Sequence, residues 1–315
     1  MKNLTKVWIG VDISKKTLDI CINPIGKFFK ISNSADEIEM FVEELKQFDV
    51  KQIACEATGG YEKLLEKILR KHGYTLWIVD PRRVKGYIVS TGCKSKTDKI
   101  DAQKIADFAT KNSPNYDAIR RTESLEILHI LNSRKSDLTK VLSAEKNRLK
   151  GPAYEACQSS IQNVIKFLQK ETKSIEMQIK HMIQQDETLN KKALVLESIP
   201  GIGYASAALL LSSVPELGLL NNRQISALIG VCPYDRSSGS YAGKKFIRGG
   251  RMIPRNILYM CALTTIKYHL PLKEFYDRLI ENKKPFKVAL IAVVHKLIII
   301  ANSLLKKEET CYKFS

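Results

Sequence analysis

The chain has 315 residues, room for two domains or for one domain with a large insertion. Hydrophobic residues make up 44% of it, ample for a buried core, which excludes a disordered chain. Lysine and arginine number 51 against 33 aspartates and glutamates, and the net charge of +18 points to an anionic partner, most often nucleic acid. Seven cysteines without a C-x-x-C pair argue against a disulfide framework or a zinc ribbon and predict reduced thiols in a cytoplasmic setting. The five histidines lack metal-ligand spacing.

Residues 1–113 read as an α/β domain. Lys6–Val11 is a predicted strand that begins almost at once, so no signal peptide is expected. Leu18–Ile22 and Lys27–Ile31 follow around the turn Asn23-Pro24-Ile25-Gly26, a hairpin signature. Ala35–Phe48 has helical periodicity after Ser34 as N-cap. Gln52–Cys55 is a short strand, Tyr61–Lys71 a helix stopped near Gly73, and Thr75–Val79 a strand closed by Asp80-Pro81. Three early strands with a hairpin, then alternating helices and strands, predict a ribonuclease-H-like sheet.

Residues 114–190 carry an apolar stripe through Leu125, Ile127, Leu128, Leu131, Leu138, Val141 and Leu142. The stripe breaks at Gly151-Pro152 and resumes from Ile161 to Ile183. Two long helices are predicted, either as an intramolecular hairpin or as a coiled coil that dimerises the protein. Residues 191–315 read as a compact, mostly helical domain. Its apolar stretch Val288–Leu305 approaches membrane-span length, but His295 and Lys296 at its middle favour a buried helix, and no membrane partner is expected.

Four carboxylates stand out. Asp12 ends the apolar run V-W-I-G-V-D and Glu56 ends Q-I-A-C-E, while Asp98 and Asp101 sit at i, i+3 on a helix that starts at Thr97. Singly, each fits a cap or turn role. Together, in a basic chain, they would repel unless a hard divalent cation with a preference for oxygen ligands lay among them. In the last domain, I-P-G-I-G places Gly201 and Gly203 between two helices. It resembles a helix-hairpin-helix grip on a DNA backbone, and a tight turn between packed helices explains it equally well. The run S-S-G-S-Y-A-G-K-K-F-I-R-G-G-R-M-I-P-R offers Gly239, Gly243, Gly249 and Gly250 for close backbone approach. Lys244, Lys245, Arg248, Arg251 and Arg255 supply charge for phosphates. A serine there could attack phosphorus, but no histidine lies nearby as a base, and on chemistry alone a flexible basic loop with ordinary serines fits better.

These motifs, in this order, resemble the transposases of the insertion-sequence family one-ten (IS110), relatives of the Piv DNA invertases. G-V-D at Asp12, C-E-A-T-G at Glu56 and K-T-D-x-x-D-A at Asp98 and Asp101 match the family's DEDD pattern. The I-P-G-I-G entry, S-G-x-x-x-G from Ser238 and I-x-G-G-R-x-x-x-R match its C-terminal pattern. The resemblance spans essentially the whole chain. It implies a RuvC-like catalytic domain over 1–113, a coiled-coil linker and dimerisation region over 114–190, and a serine transposase domain over 191–315. It further implies Mg²⁺, or Mn²⁺ in its place, held by Asp12, Glu56, Asp98 and Asp101, and a covalent serine–DNA intermediate at Ser238, with Ser237 as the alternative. The implied partners are the DNA of element ends and target, a guide RNA encoded by the element, and further copies of the chain as a dimer or tetramer, in the bacterial cytoplasm at the nucleoid. Two other classes fit the composition: a RuvC-like junction nuclease with no covalent step, and a non-catalytic nucleic-acid-binding protein.

Overall fold

The computed structural model describes residues 4–92, 97–112, 122–234, 237–238, 241–242, 246–307 and 311–312, with the backbone alone for Asp98, Ala153, Ser237, Ser238, Tyr241 and Ala242. The chain divides into two compact units, Met1–Ile119 and Arg120–Ser315.

The first unit is built on a mixed sheet. Strands β1 (Lys6–Ile13), β2 (Thr17–Asn23) and β3 (Lys27–Ser32) form an antiparallel meander. After α1 (Ala35–Leu45), strand β4 (Asp49–Glu56) adds parallel to β1. After α2 (Lys63–Lys71), β5 (Leu76–Val79) adds parallel to β4, giving the order β3-β2-β1-β4-β5. The expected early hairpin is present, and three antiparallel strands followed by two parallel ones is the arrangement that a ribonuclease-H-like sheet requires. Strand β4 begins three residues earlier than its apolar run suggests, because Asp49 and Val50 pair with Lys6 and Val7 before the register shifts at Trp8.

Two helices close the unit. The Asp80-Pro81 pair, read from sequence as a strand stop, is also a helix start. The Asp80 carboxylate accepts the Arg82 backbone N–H at 2.9 Å and Pro81 takes the first position of α3 (Pro81–Ser90). Thr97 caps α4 (Asp98–Lys111) as expected, accepting the Ile100 N–H at 3.3 Å.

Side-chain alternation divides the sheet into two faces. Val7, Ile9, Val11 and Ile13 of β1 join Leu18, Ile20 and Ile22 of β2 and Ile53 and Cys55 of β4 in one core, covered by Ile38, Phe41, Val42 and Leu45 of α1 and Leu65, Ile68 and Leu69 of α2. The opposite face carries Trp8, Ala54, Trp77 and Val79, packed with Val84 of α3 and Ile105, Phe108 and Ala109 of α4. Where α4 crosses β1 the strand has Gly10. A Cβ there would stand 2.2 Å from the Ala106 nitrogen and 2.3 Å from the Ala102 oxygen. The helix backbone therefore lies directly on the strand, with fully buried Ala102 and Ala106 as its contact residues.

The second unit is helical. Helices α5 (Glu123–Leu149) and α6 (Gln158–Gln185) pack on each other, joined by a short 3-10 helix over Pro152–Cys157 at the expected break. The predicted stripe is divided: Leu128 and Leu138 are buried within the chain, whereas Ile127 and Val141 are exposed. Asn132 of α5 is buried and donates to the Ser212 hydroxyl at 3.1 Å, tying it to α8 (Tyr204–Ser213). Helix α7 (Glu187–Glu197) leads into α8, and α9 (Asn222–Leu228), α10 (Met252–Tyr268), α11 (Leu270–Glu281) and α12 (Phe286–Lys306) complete the unit.

Helix α12 is long and apolar enough to cross a membrane by length and composition. In the fold it packs against α7, α9, α10 and α11, with Leu290, Val293, Val294, Leu297, Ile298 and Ala301 fully buried. Its Asn302 is buried as well, accepting the Gly218 N–H and donating to the Leu220 carbonyl, both at 2.9 Å. That is the signature of a core helix, since a span facing lipid would leave its apolar residues uncovered.

The contact at Gly10 yields a direct test. Gly10→Ala forces backbone against backbone and is expected to destabilise the chain by about 3 kcal/mol, measured as a lowered urea midpoint. Gly26→Ala, at a turn glycine whose added Cβ meets nothing within 4 Å, is expected to cost only about 1 kcal/mol, from its positive φ alone.

Candidate active site

The first cluster grows from the sheet register. Val11 and Cys55 are partners in the parallel β1–β4 pair, so the next residues, Asp12 and Glu56, stand side by side at the ends of neighbouring strands. Val11 and Cys55 belong to the core face, which turns Asp12 and Glu56 to the opposite face, the one that α4 covers. Both are half-buried. Helix α4 begins at Asp98, and Asp101 immediately precedes Ala102, whose carbonyl lies over Gly10, two residues before Asp12. Asp12, Glu56 and the first turn of α4 thus share one region of one face. The side chain of Asp98 lies outside the described residues, and among those described no group of three or more His, Cys, Asp or Glu side chains is close enough to hold a metal ion. The chemistry of the donor set, carboxylates alone, fits a hard divalent cation.

A further acid, Asp19, went unnoticed in the sequence. It is the cross-strand partner of Asp12 on β2 and in turn the partner of Lys30 on β3. Its side chain is 13% exposed and pairs with Lys30 at 3.3 Å. Carboxylates directly opposite each other repel, and Lys30 offsets part of that. Only the strand register could have revealed Asp19, because nothing in the run T-L-D-I-C-I-N marks it.

Glu62 is the second residue the sequence did not announce. It is buried, and its carboxylate accepts the Thr58 hydroxyl, the Thr58 N–H at 3.3 Å and the Gly60 N–H at 3.0 Å. The loop that follows Glu56 is wrapped around this carboxylate. Burial raises the Glu62 carboxyl, but the Thr58 hydroxyl and the backbone N–H groups together outweigh it and hold it below the usual range. Asn33 ties the same loop to the end of β1, donating to the Ser14 and Tyr61 carbonyls at 3.2 Å each.

The second cluster lies in the helical unit. Between α9 and α10 the chain leaves the core as two short ribbons. Strands β6 (Pro233–Tyr234) and β9 (Phe246–Ile247) pair at the foot, and β7 (Ser237–Ser238) and β8 (Tyr241–Ala242) pair further out. Ser238 is therefore on a strand, opposite Tyr241, rather than in an unstructured loop. Gly239, Gly243, Lys244 and Lys245 lie outside the described residues.

Several expected nucleic-acid contacts turn out to have internal roles. Arg251 donates to both Glu216 oxygens at 2.6 and 2.7 Å and to the Ser213 carbonyl at 3.0 Å. Arg255 donates to the Gly249 carbonyl at 2.6 Å and approaches those of Ile229 and Gly230. A Cβ on Gly250 would meet the Gly230 nitrogen at 2.2 Å, so the two turns pack backbone on backbone. Gly201 serves the same purpose in I-P-G-I-G, where a Cβ would stand 2.2 Å from the Thr265 hydroxyl. These four residues therefore make contacts that hold the fold together. Gly203, Arg248 and Gly249 remain on open surface, with Gly203 at the N-cap of α8.

A family profile for DEDD transposases of the IS110 type, described as a transposase, matches residues 9–152. Another, described as the transposase IS116/IS110/IS902 family, matches residues 193–277. The chain belongs to the IS110 family of transposases. Pilin gene-inverting proteins of Moraxella bovis and Moraxella lacunata are each 24% identical to this transposase, covering 96% of it and 97% of their own length. The transposase for insertion sequence element IS1111A of Coxiella burnetii is also 24% identical, over 96% of this chain and 90% of its own. An IS110-family transposase is an enzyme acting on DNA, and its DEDD domain implies dependence on a divalent metal and a RuvC-like fold, with which the mixed sheet agrees.

Two predictions follow from the buried charges. Because the folded state holds the Glu62 carboxyl low, its contribution to stability is fully present above about pH 4.3 and is lost as the pH falls through the lowered value. Glu62→Gln lacks that component. Its unfolding midpoint should lie below wild type at neutral pH, and the gap should close on acidification in parallel denaturation series. Arg251→Ala should cost about 2 kcal/mol, because it strands buried Glu216, and lysine should not rescue the bidentate pair. Arg248→Ala, at the surface, should leave the melting temperature nearly unchanged.

Proposed function

We propose that this IS110-family transposase moves an insertion element by cutting and rejoining DNA, with Asp12, Glu56, Asp98 and Asp101 as its metal site and Ser238 as its nucleophile. The observation that carries this reading is the placement of Asp12 and Glu56 on the sheet face that α4 covers, with the helix backbone held against β1 beside them. Those four carboxylates would hold Mg²⁺ or Mn²⁺, and the bound cation supplies positive charge where a phosphodiester accumulates negative charge.

The chain's own groups supply the rest. The first turn of α4 offers the positive end of a helix dipole to acids that would otherwise repel. The Ser238 hydroxyl attacks phosphorus, so that the Oγ–P bond forms as the bond from phosphorus to the departing sugar oxygen breaks. The hydroxyl proton passes to a base outside the motif, since no histidine lies within it. Strand transfer reverses the exchange, with an incoming sugar hydroxyl displacing Ser238. The relatives are named for inverting a pilin gene and for transposing an insertion sequence, outcomes in which cut DNA must be rejoined, and this favours rejoining over simple cleavage.

Two further parts belong to the same reading. The family resemblance and the +18 charge support binding of a guide RNA encoded by the element. The exposed Ile127, Ile130, Val141, Phe167 and Met177 on α5 and α6 support assembly of two or more copies through these helices.

Ser238→Ala should keep DNA binding and lose cleavage together with the covalent adduct, by several orders of magnitude, whereas Ser237→Ala should be far milder. Asp12→Asn, Glu56→Gln, Asp98→Asn and Asp101→Asn should each abolish cleavage with the fold intact by circular dichroism. The assay is labelled DNA on a denaturing gel, followed by peptide mapping of the adduct. Full cleavage by Ser238→Ala would leave a metal nuclease without a covalent step.

A further inference from the structure

At the foot of the serine-bearing arm, Tyr234 of β6 and Phe246 of β9 are direct partners in an antiparallel pair. Partners in such a pair project from the same face of the ribbon, with Cβ atoms about 5 Å apart. Both rings are partly exposed, Tyr234 at 38% and Phe246 at 41%. Arg248, two residues beyond Phe246, holds its guanidinium carbon 5.1 Å from the centre of the Tyr234 ring. Among the described residues no carboxylate pairs with Arg248. Two aromatic rings and a guanidinium plane thus share one open face.

The surrounding charge narrows the choice of occupant. Arg248 is the cation on this face, and the adjoining sequence adds Arg236, Lys244 and Lys245 with no acidic residue between Asp235 and Glu274, whereas Arg251 and Arg255 are engaged within the fold. A face that is both aromatic and cationic is complementary to a ligand that has flat π-faces and negative charge. Nucleic acid has both, and its π-faces are free only where bases are unpaired. Paired duplex would present phosphates to Arg248 and leave the rings idle.

We propose that Tyr234, Phe246 and Arg248 form a stacking platform for an unpaired DNA base at the foot of the arm that carries Ser238. Tyr234 and Phe246 supply ring faces, and Arg248 supplies a cation–π plane and a phosphate contact. The inference rests on the DNA-acting reading of this transposase and is independent of Ser238 as nucleophile.

The test is a binding measurement on the full chain, with a fully paired duplex and the same duplex carrying a short gap with 2-aminopurine in the unpaired stretch. Wild type should bind the gapped duplex more tightly and quench the 2-aminopurine. Tyr234→Ala and Phe246→Ala should each weaken gapped-duplex binding by about 5- to 150-fold and leave paired-duplex binding little changed. Tyr234→Trp should restore binding, whereas Tyr234→Leu, which keeps apolar bulk without a π-face, should not. Wild-type binding by Tyr234→Leu, or an equal loss on both duplexes, would overturn the platform. So would a preference for an unpaired RNA strand of the same sequence, or self-association that Tyr234→Ala removes in light scattering. If wild type binds paired duplex with no preference for the gap, the platform fails alone; if it binds neither duplex, the DNA-acting reading fails with it.

Discussion

The contact of α4 with β1 at Gly10 is the constraint on which the proposed metal site depends. An ordinary helix–sheet packing keeps the two backbones a side chain apart. Here Gly10 on the strand and Ala102 and Ala106 on the helix remove that spacer. The helix is pressed onto the face that carries Asp12 and Glu56, and its first turn carries Asp98 and Asp101. Larger residues at any of the three positions would lift α4 from the sheet and carry the two aspartates away with it. The contact that seats the helix therefore also sets the distance between the two pairs of acids.

Concentrating acids is unfavourable, and the first unit shows several local offsets. Lys30 pairs with Asp19, the residue opposite Asp12. The N-terminus of α4 turns its positive end toward its own first-turn aspartates. Glu62 is a different case, since its charge is satisfied by the loop it organises and not by a cation. Without that carboxylate, the Thr58 and Gly60 N–H groups next to Glu56 would lose their acceptor, and the loop would lose the interaction that fixes its shape.

Much of the first unit could be read from sequence because its signals are local. Alternating apolar runs announced β1 to β5, Thr97 announced the start of α4, and the spacing of Asp98 and Asp101 announced a shared helical face. What stayed hidden needed a register or a distant partner. Asp19 matters only because β2 pairs with β1 at that offset, and Glu62 only because the chain folds back on it. The helix α3 was missed because Asp-Pro serves both as a strand stop and as an N-cap followed by a first-position proline. In the second unit, Arg251 and Arg255 read as phosphate ligands because a cation's partner cannot be inferred from its neighbours in sequence. Glu216, 35 residues away, decides the role of Arg251.

The arm that bears Ser238 poses a problem of rigidity, since isolated two-stranded ribbons are marginal in water. Its order must come from the base. There the Gly230 and Gly250 backbones touch, Arg255 gathers the carbonyls of both turns, and Arg251 anchors the returning strand to Glu216 and Ser213. These ties fix where β6 and β9 meet the core. The basic character of I-R-G-G-R-M-I-P-R is accordingly of two kinds. Arg251 and Arg255 are turned inward to hold the foot of the arm, which leaves Arg248 and the aromatic pair beside it to face the solvent. The proposed nucleophile, Ser238, has no base in its own motif, so its delivery to a phosphate would depend on the foot that Arg251 and Arg255 hold.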